Sequence, residues 1–293
     1  MVPSPRAGEM VVDRLGPPDL VETFGFLDHD PVLNVYLLAL TLRDSLAATR
    51  DEYWVARREG EIAGLLHLGG QSGAVLPLGD DEAAMRLLAD QARARLGFLP
   101  RRFQIIGPTA SVAPFLQRFA RSGFQPRLER SQVYMSLDPA DLATGERLPE
   151  LEPARRDDFD LVYVSGAQLR AEELDEDPRD VDPAGYRRRV EEECRDSHTY
   201  LWKDARGDLR FRASVSAITA DAAQISGVYT PPEHRNRGNA RRGLAELCLR
   251  LFERSRSACL FVNDFNHSAL AVYRRLGFRE RAPWRSAFYD TPR

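Results

Sequence analysis

The stretch HRNRGNARR, residues 234–242, has the residue types of an anion site, and we call it the Arg-rich turn. Four arginines and one glycine stand between an apolar run, ISGVYTPPE, and a run with helical spacing, GLAELCLRLF. The first turn of a helix leaves backbone amides without partners, and the helix dipole adds positive charge there. Arginines at that place are unfavourable unless an anion binds, so the pattern predicts a phosphate site.

Small residues and outward arginines give this turn a predicted shape. Gly238 removes a side chain where a ligand must approach the backbone, and Ala240 is small for the same reason. Arg241 and Arg242 are expected on the exposed side, within reach of outlying phosphates. We therefore predict a pyrophosphate site, with a solvated basic helix start as the alternative. Neither a P-loop motif nor GxGxxG after a first strand occurs, which disfavours those two phosphate sites.

A second group with chemical potential is acidic and lies within residues 172–177, which we call the acidic run. It contains Glu172, Glu173, Asp175, Glu176 and Asp177. Such a cluster attracts a cationic amine. A solvated acidic loop explains the same residues equally well.

The bulk properties describe an ordinary globular protein of 293 residues with a net charge of −3. That charge disfavours a general nucleic-acid binder. Three scattered cysteines form no CxxC pair, so we expect no metal site, and their small number suits a reducing cytoplasm. The longest apolar run, VLNVYLLAL, is too short to span a bilayer, and the N-terminus lacks the apolar core of a signal peptide. We therefore predict a cytoplasmic protein without membrane association.

Periodicity places these residues within a sequence of predicted helices and strands. In the first half we expect a helix near 31–47, a hairpin turning at Glu59–Gly60, helices over 80–96 and 111–124, and strands over 103–108 and 131–138. The second half is expected to contain helices over 156–174, 186–196, 243–252 and 268–276, and strands over 199–204, 209–218, 224–230, 258–264 and 284–290. A polar, proline-containing stretch between the halves predicts two domains, residues 1–148 and 149–293.

The two halves contain similar units. Residues 111–135 and 268–289 each read as an amphipathic helix, a Gly-Phe pair, an Arg-rich connector and an aromatic-ended strand. Their glycines, Gly123 and Gly277, lie 154 residues apart. The spacing indicates a duplicated unit, although helices that end in glycine are common in unrelated proteins.

Two motifs in the second half resemble the GNAT N-acyltransferase superfamily. RNRGNA, residues 235–240, fits the pattern in which Gln or Arg is followed by x-x-G-x and then Gly or Ala. NHSALAVYRRLGF, residues 266–278, matches N-x-x-A-x-x-x-Y-x-x-x-G-F. The resemblance covers about 150–293. It implies an α/β (α+β) fold of two GNAT-like domains, each a mixed, mostly antiparallel sheet flanked by helices, with a degenerate N-terminal half.

The resemblance also implies roles for individual residues, with acetyl-CoA as the cosubstrate. Tyr273 would protonate the leaving thiolate, although the spacing alone favours a core tyrosine. The backbone of Val228 would bind the carbonyl oxygen, since such an oxygen needs an N–H donor when an amine attacks. The implied cofactor-binding residues are Val228, Tyr229, Thr230, Arg235, Asn236, Arg237, Gly238, Asn239, Ala240, Arg241 and Asn266.

The acceptor side is less specific. Glu172 and Glu173 lie where GNAT folds usually bind the acceptor, so they are the candidates for the general base. The first half has no R-x-x-G-x-A, its corresponding GDDEAAMRLL is acidic, and Phe119 stands where Tyr273 stands in the second half. We therefore predict that the N-terminal half binds no coenzyme and instead supports or shapes the substrate site.

The expected activity is transfer of an acetyl group from acetyl-CoA to a primary amine by direct attack in a ternary complex. A small primary amine or an amino-acid-like compound is the expected acceptor, and a homodimer is left open. Two alternatives remain. The chain is a non-catalytic acyl-CoA-binding sensor, or it acetylates protein lysines or N-termini.

Overall fold

A twelve-stranded sheet with helices on both faces forms the body of the computed structural model, which describes residues 10–47, 50–143 and 145–291. The strands are β1 Met10–Arg14, β2 Asp51–Arg58, β3 Glu61–Gly69, β4 Ala74–Leu78, β5 Arg102–Pro108, β6 Leu128–Leu137, β7 Leu151–Pro153, β8 Thr199–Lys203, β9 Leu209–Ile218, β10 Ala222–Tyr229, β11 Ser257–Asn263 and β12 Arg279–Asp290. The helices are α1 Leu20–Leu27, α2 Val35–Asp44, α3 Glu82–Ala94, α4 Thr109–Arg121, α5 Phe159–Leu174, α6 Pro178–Val181, α7 Pro183–Arg195, α8 Asn239–Leu251 and α9 His267–Leu276.

The last strand of each half lies within the other half's part of the sheet. The order is β1-β2-β3-β4-β5-β12-β6-β11-β10-β9-β8-β7. β12 pairs antiparallel with β5, β6 pairs antiparallel with β11, and β6 and β12 pair with each other. Because these strands interleave, a single continuous sheet extends across both halves. The division at residue 148 stays a prediction about chain organisation.

Most predicted elements are confirmed, including the β2–β3 hairpin, whose turn residues Glu59 and Gly60 both have positive φ. The periodicity missed β1, α1, β4, α6 and β7. These elements have at most eight residues, and β4 carries Pro77, so each is too short or too irregular to show a period. None of the helices in the described residues combines the length and the apolar character that crossing a bilayer requires.

Helices from both halves cover the C-terminal part of the sheet. α8 and α9 pack on one face through Leu244, Leu247 and Leu276. α5 and α7 pack on the opposite face, and there α2 of the N-terminal half also contacts β9 and β10. Tyr134 of β6 donates a hydrogen bond to the carbonyl of Val32, at 2.6 Å, just before α2. The N-terminal half therefore forms part of the wall on that face.

The two repeated glycines have different surroundings. Gly277 ends α9 with φ of 104°, and an added Cβ would lie 2.0 Å from the carbonyl oxygen of Asp141. Gly123 follows α4 with φ of 81°, but no atom lies within 4 Å of its would-be Cβ. Both positions favour glycine for its backbone freedom, and only Gly277 also needs the space.

We predict that Gly277→Ala destabilises the protein more than Gly123→Ala. Both substitutions place alanine in the left-handed region, at a cost of about 1–2 kcal/mol. Gly277→Ala adds a clash with a backbone oxygen, which costs about 1–3 kcal/mol more. Urea unfolding of the two variants measures the difference. Equal losses of stability would show that the carbonyl oxygen of Asp141 does not restrict the side chain at position 277.

A buried carboxylate fastens the segment between the halves to α8. The Glu246 side chain accepts hydrogen bonds from Nε of Arg147 (2.7 Å) and from the amide of Leu148 (3.1 Å), and Arg250 adds a third (3.0 Å). The hydrogen bond from Arg147 is the main reason that the pKa of Glu246 falls to about 2 from its ordinary 4.5. The ionised form therefore stabilises the folded protein.

Glu246→Gln should lower the free energy of unfolding by about 1–3 kcal/mol at pH 7. A depressed folded-state pKa contributes stability above pH 4.5 and loses it as the pH falls toward about 2. The difference between wild type and variant, measured by urea unfolding, should therefore shrink across that interval. Glu253→Gln, an exposed position near the end of the same helix, is the matched control. A difference independent of pH contradicts the assignment.

Candidate functional site

β10 and β11 separate at their C-terminal ends. Their parallel pairing runs only from Ala222 opposite Ser257 to Gln224 opposite Cys259. On its other edge β10 stays paired with β9 as far as Tyr229, and β11 stays paired with β6 as far as Asn263. An opening that we call the strand gap therefore lies between residues 225–229 and residues 260–263.

A bulge lies on the β10 side of the strand gap. Ser226 is opposite Ser214 and Tyr229 is opposite Arg212, so Gly227 and Val228 together face a single residue of β9. Gly227 has φ of 59°, the left-handed conformation that glycine adopts without cost. Such a bulge leaves one residue outside the ladder. Val228, whose amide is predicted to donate a hydrogen bond to the carbonyl oxygen of the acyl group, lies within the bulge.

The Arg-rich turn leads into the N-terminus of α8 without a side-chain cap. Asn236 and Gly238 have φ of 59° and 79°, and Gly238 is the N-cap residue. The amide of Arg242 bonds to the carbonyl of Gly238 at 3.0 Å, and the amides of residues 239–241 precede this first bond of the helix. No atom lies within 4 Å of a Cβ added at Gly238, so the turn is open beside that residue.

Two predicted residues of the turn hold it in shape. Nη2 of Arg235 contacts both carboxylate oxygens of Glu172, at 2.7 and 2.8 Å, and its Nε donates to the carbonyl of Thr230 at 2.9 Å. Asn239 donates to the carbonyl of His234 at 3.0 Å. These side chains are engaged with the protein, so a phosphate role for them stays a prediction.

The other three arginines of the turn have surroundings of two kinds. Arg237 and Arg241 are exposed and form no salt bridge within the described residues. Arg242, expected on the exposed side, is half-buried over the ring of Trp202 and lies 3.5 Å from Glu146. The turn therefore offers two free cations beside the open amides. Thr230, where the strand ends, has a solvent-shielded hydroxyl without a partner in the described part of the chain.

Tyr273 lies on α9 with 6% of its surface exposed, packed near Phe278. Burial raises the pKa of its phenol, and the charge of Glu173 adds to that rise. The group is therefore protonated at neutral pH, as a proton donor must be. Its packing also fits a core tyrosine, so the catalytic role stays a prediction.

The two candidate bases have different surroundings. Glu172 is neutralised by Arg235 in a two-oxygen contact, as described above. Glu173 has an exposed side chain, yet desolvation by nearby protein atoms raises the pKa of its carboxyl to about 7, with Glu172 adding to the effect and Arg170 opposing it. Of the two, Glu173 fits a base at neutral pH.

The rest of the acidic run is bound by arginines, three of which belong to the N-terminal half. The pairs are Asp175 with Arg130 (3.2 Å), Glu176 with Arg102 (2.7 Å) and Arg127 (3.1 Å), and Asp177 with Arg179 (2.6 Å). Attraction of a cation by the run is thus confined to Glu173. Arg130 also donates to the carbonyl of Glu173, at 3.0 Å.

Asn266 caps the helix that carries Tyr273. Its side-chain oxygen accepts from the amide of Ala269 at 3.1 Å and from the hydroxyl of Ser268 at 2.9 Å. This geometry gives Asn266 a structural role, because it fixes the first turn of α9. Contact with the coenzyme stays a prediction.

Sequence reasoning missed the partners that align these groups. Gln168 of α5 accepts a hydrogen bond from the hydroxyl of Tyr229 at 3.2 Å, and Arg130 of β6 reaches the end of α5. Each link joins residues more than forty positions apart, and no local pattern marks them.

The equivalent places in the N-terminal half are closed. The carboxylate of Asp81 caps α3 by accepting from the amides of Ala83 (2.9 Å) and Ala84 (3.0 Å). Beside it, Ser111 exchanges hydrogen bonds with the amide and the carbonyl of Gly79, at 3.1 and 2.7 Å. The amides that an anion would need already have partners there.

Comparison with known proteins gives one family and many similar structures. Residues 210–288 match the FR47-like protein family. No curated protein matches the chain significantly. A tandem GNAT protein from the clavulanic acid biosynthesis pathway is 19% identical, with a TM-score of 0.54 over 97% of this chain and 100% of that chain. A GCN5-related N-acetyltransferase from Sphaerobacter thermophilus is 16% identical, with a TM-score of 0.57 over 96% and 95%.

A third similar structure, a Drosophila protein, has a TM-score of 0.65 at 12% identity, over 97% of this chain and 99% of that chain. Identities this low report on the fold, and the fold they share is the predicted α/β one with a mostly antiparallel sheet. The family match, over residues 210–288, includes both sequence motifs, at residues 235–240 and 266–278. The chain therefore contains an FR47-like segment and shares its fold with several GNAT acetyltransferase structures.

Proposed function

We propose that this protein transfers an acetyl group from acetyl-CoA to the nitrogen of a small primary amine. One observation carries the proposal: the strand gap and the open N-terminus of α8 lie at the same end of β10. A gap between strands suits an extended chain that needs backbone partners, and a helix N-terminus beside it suits phosphate. Acetyl-CoA has both parts, and when bound it supplies a thioester that an amine can attack.

The residues around the gap divide the work of binding. The amides of residues 239–241, with Arg237 and Arg241, hold the pyrophosphate. The backbone of residues 228–230 pairs with the pantetheine arm along the edge of β10. The space beside Gly238 and the unpartnered hydroxyl of Thr230 support this fit.

The proton transfers are assigned to one residue on each side of the gap. Glu173 takes a proton from the attacking ammonium group, and its pKa of about 7 leaves it largely ionised at slightly alkaline pH. As the N–C bond forms and the C–S bond breaks, Tyr273 donates a proton to the sulfur, and its phenolate takes up the second proton that the nitrogen loses as it becomes an amide. The amide of Val228 donates a hydrogen bond to the carbonyl oxygen, where negative charge develops.

We predict that the rate of thiol release rises as the pH passes upward through about 7, because Glu173 must lose its proton. Glu173→Gln should remove this dependence and lower turnover about 10²-fold, and Tyr273→Phe should lower it about ten-fold or more. Glu172→Gln is the comparison. It should raise KM for acetyl-CoA through Arg235 and keep a pH dependence with a somewhat lower midpoint, because the charge of Glu172 adds to the raised pKa of Glu173.

A wild-type pH profile in Glu173→Gln would assign the base elsewhere. Acetyl-CoA binding without thiol release, across a library of amines that includes lysine peptides, would favour the sensor. Release with peptides alone would favour a protein acetyltransferase.

Calorimetry should give one equivalent of CoA per chain, because Asp81 already occupies the amides of α3. Gly238→Ala should weaken binding about ten-fold or more, since it strains the turn and fills the space that phosphate needs. Gly60→Ala is a matched control, with φ of 92° and equally empty surroundings in the β2–β3 turn. Two equivalents of CoA, or equal affinities of the two variants, would contradict the site.

A further inference from the structure

Arg170 is a half-buried cation of α5 that lies near charges of both signs. Its side chain is half-buried near the end of α5 and makes no hydrogen bond or salt bridge with any of the described residues. Burial lowers the pKa of the guanidinium and the nearby positive charge of Arg189 lowers it further, while the charges of Glu176 and Glu173 oppose this shift. A partly desolvated cation beside a second cation is stabilised when an anion contacts it directly.

The surrounding arginines are paired, which makes Arg170 the exception. Arg130 contacts Asp175, Arg235 contacts Glu172, and the buried Arg212 contacts Glu193 at 3.3 Å. The nearest acids do not supply a partner for Arg170, since Glu176 is bound by two arginines of the N-terminal half. Glu173, the remaining carboxyl, has the pKa of about 7 described above.

Arg170 lies on a different side of α5 from the coenzyme turn. Gln168 and Glu172 of the same helix face Tyr229 and Arg235, as their hydrogen bonds show. Each residue of a helix is rotated by 100° from the one before it, so the side chain of Arg170 leaves the helix well away from both of these side chains. Arg170 is therefore not a further contact for the pyrophosphate.

The face that carries Arg170 points toward α7. Tyr163, seven residues earlier, packs on Tyr186 with ring centroids 4.9 Å apart. A Cβ at Gly166, four residues earlier, would lie 2.6 Å from the hydroxyl of Tyr186. Arg170 continues this row one turn later, beside Arg189 of α7 and one turn from Glu173.

We propose that the acceptor carries an anionic group, a carboxylate or a phosphate, and that Arg170 binds it, with Arg189 adding positive potential. This inference rests on the proposed acyl transfer. Arg170 lies one helical turn from Glu173. When the amine of the acceptor is at Glu173, an anionic substituent of the acceptor can therefore contact Arg170. The substrate class is thus an amino acid or an aminoalkyl phosphate rather than a simple amine.

The experiment follows thiol release from acetyl-CoA with matched pairs of acceptors, with rates expressed per unprotonated amine. The pairs are glycine and methylamine, β-alanine and ethylamine, 4-aminobutyrate and propylamine, 6-aminohexanoate and pentylamine, and 2-aminoethyl phosphate and ethylamine. At the spacer length that fits, the anionic member should have kcat/KM about ten-fold or more above its partner. The phosphate pair distinguishes the two anions.

Arg170→Gln should bring this ratio close to one, mainly by raising KM for the anionic member, and Arg170→Lys should keep part of it. Arg188→Gln, an exposed arginine of α7, is the matched control and should keep the ratio. Arg170 also lowers the pKa of Glu173. Its loss therefore shifts the pH profile for both members of a pair, while the ratio reports on the anion contact alone.

Calorimetry in the presence of CoA separates this inference from the proposed function. Binding of an anionic member above its matched amine, lost in Arg170→Gln, supports the anion site even without turnover, and the missing turnover would then overturn the proposed acyl transfer. Equal binding of both members, no binding of any anionic member, or a preference unchanged by Arg170→Gln would overturn the anion site.

Discussion

The structure depends on two neighbouring parallel strands that stop pairing halfway along their length. Beyond Gln224 and Cys259, β10 and β11 leave backbone groups facing an opening rather than each other. Buried backbone groups need partners, so a gap of this kind persists only if both strands are held from outside. β9 holds β10 through a bulged ladder, and β6 holds β11 along the rest of its length. The second of these partners comes from the other half of the chain.

The two halves differ in how the first turn of a helix is capped. At the N-terminus of α8 the cap is Gly238, and the space around its would-be Cβ is empty. At the N-terminus of α3 the cap is Asp81, whose carboxylate occupies the equivalent amides. The N-terminal half instead contributes a strand beside the gap, a helix on the face opposite α8, and three arginines that bind the acidic run. The N-terminal half therefore directly stabilises the structure of the C-terminal half.

Neighbouring residues of the same type acquire different properties from their surroundings. Glu172 and Glu173 are adjacent in sequence, yet one forms a salt bridge with Arg235 and the other has a pKa of about 7. Arg170 and Arg130 both lie near the end of α5, yet only Arg130 has a carboxylate partner. Helical geometry sends adjacent side chains in directions 100° apart, so Glu172 reaches the Arg-rich turn while Arg170 lies beside Arg189 of α7.

The sequence by itself determined the features that depend on neighbours within a few residues. These are the β2–β3 turn at Glu59–Gly60, the start of α8 at the Arg-rich turn, the cap of α9 by Asn266 and the helical position of Tyr273. Only the tertiary structure decided where the paired strands part, where the last strand of each half lies, and which glutamate stays free of an arginine. The physical reason is that strand partners and ion-pair partners here lie tens to more than a hundred residues apart, so no local pattern of residue types encodes them.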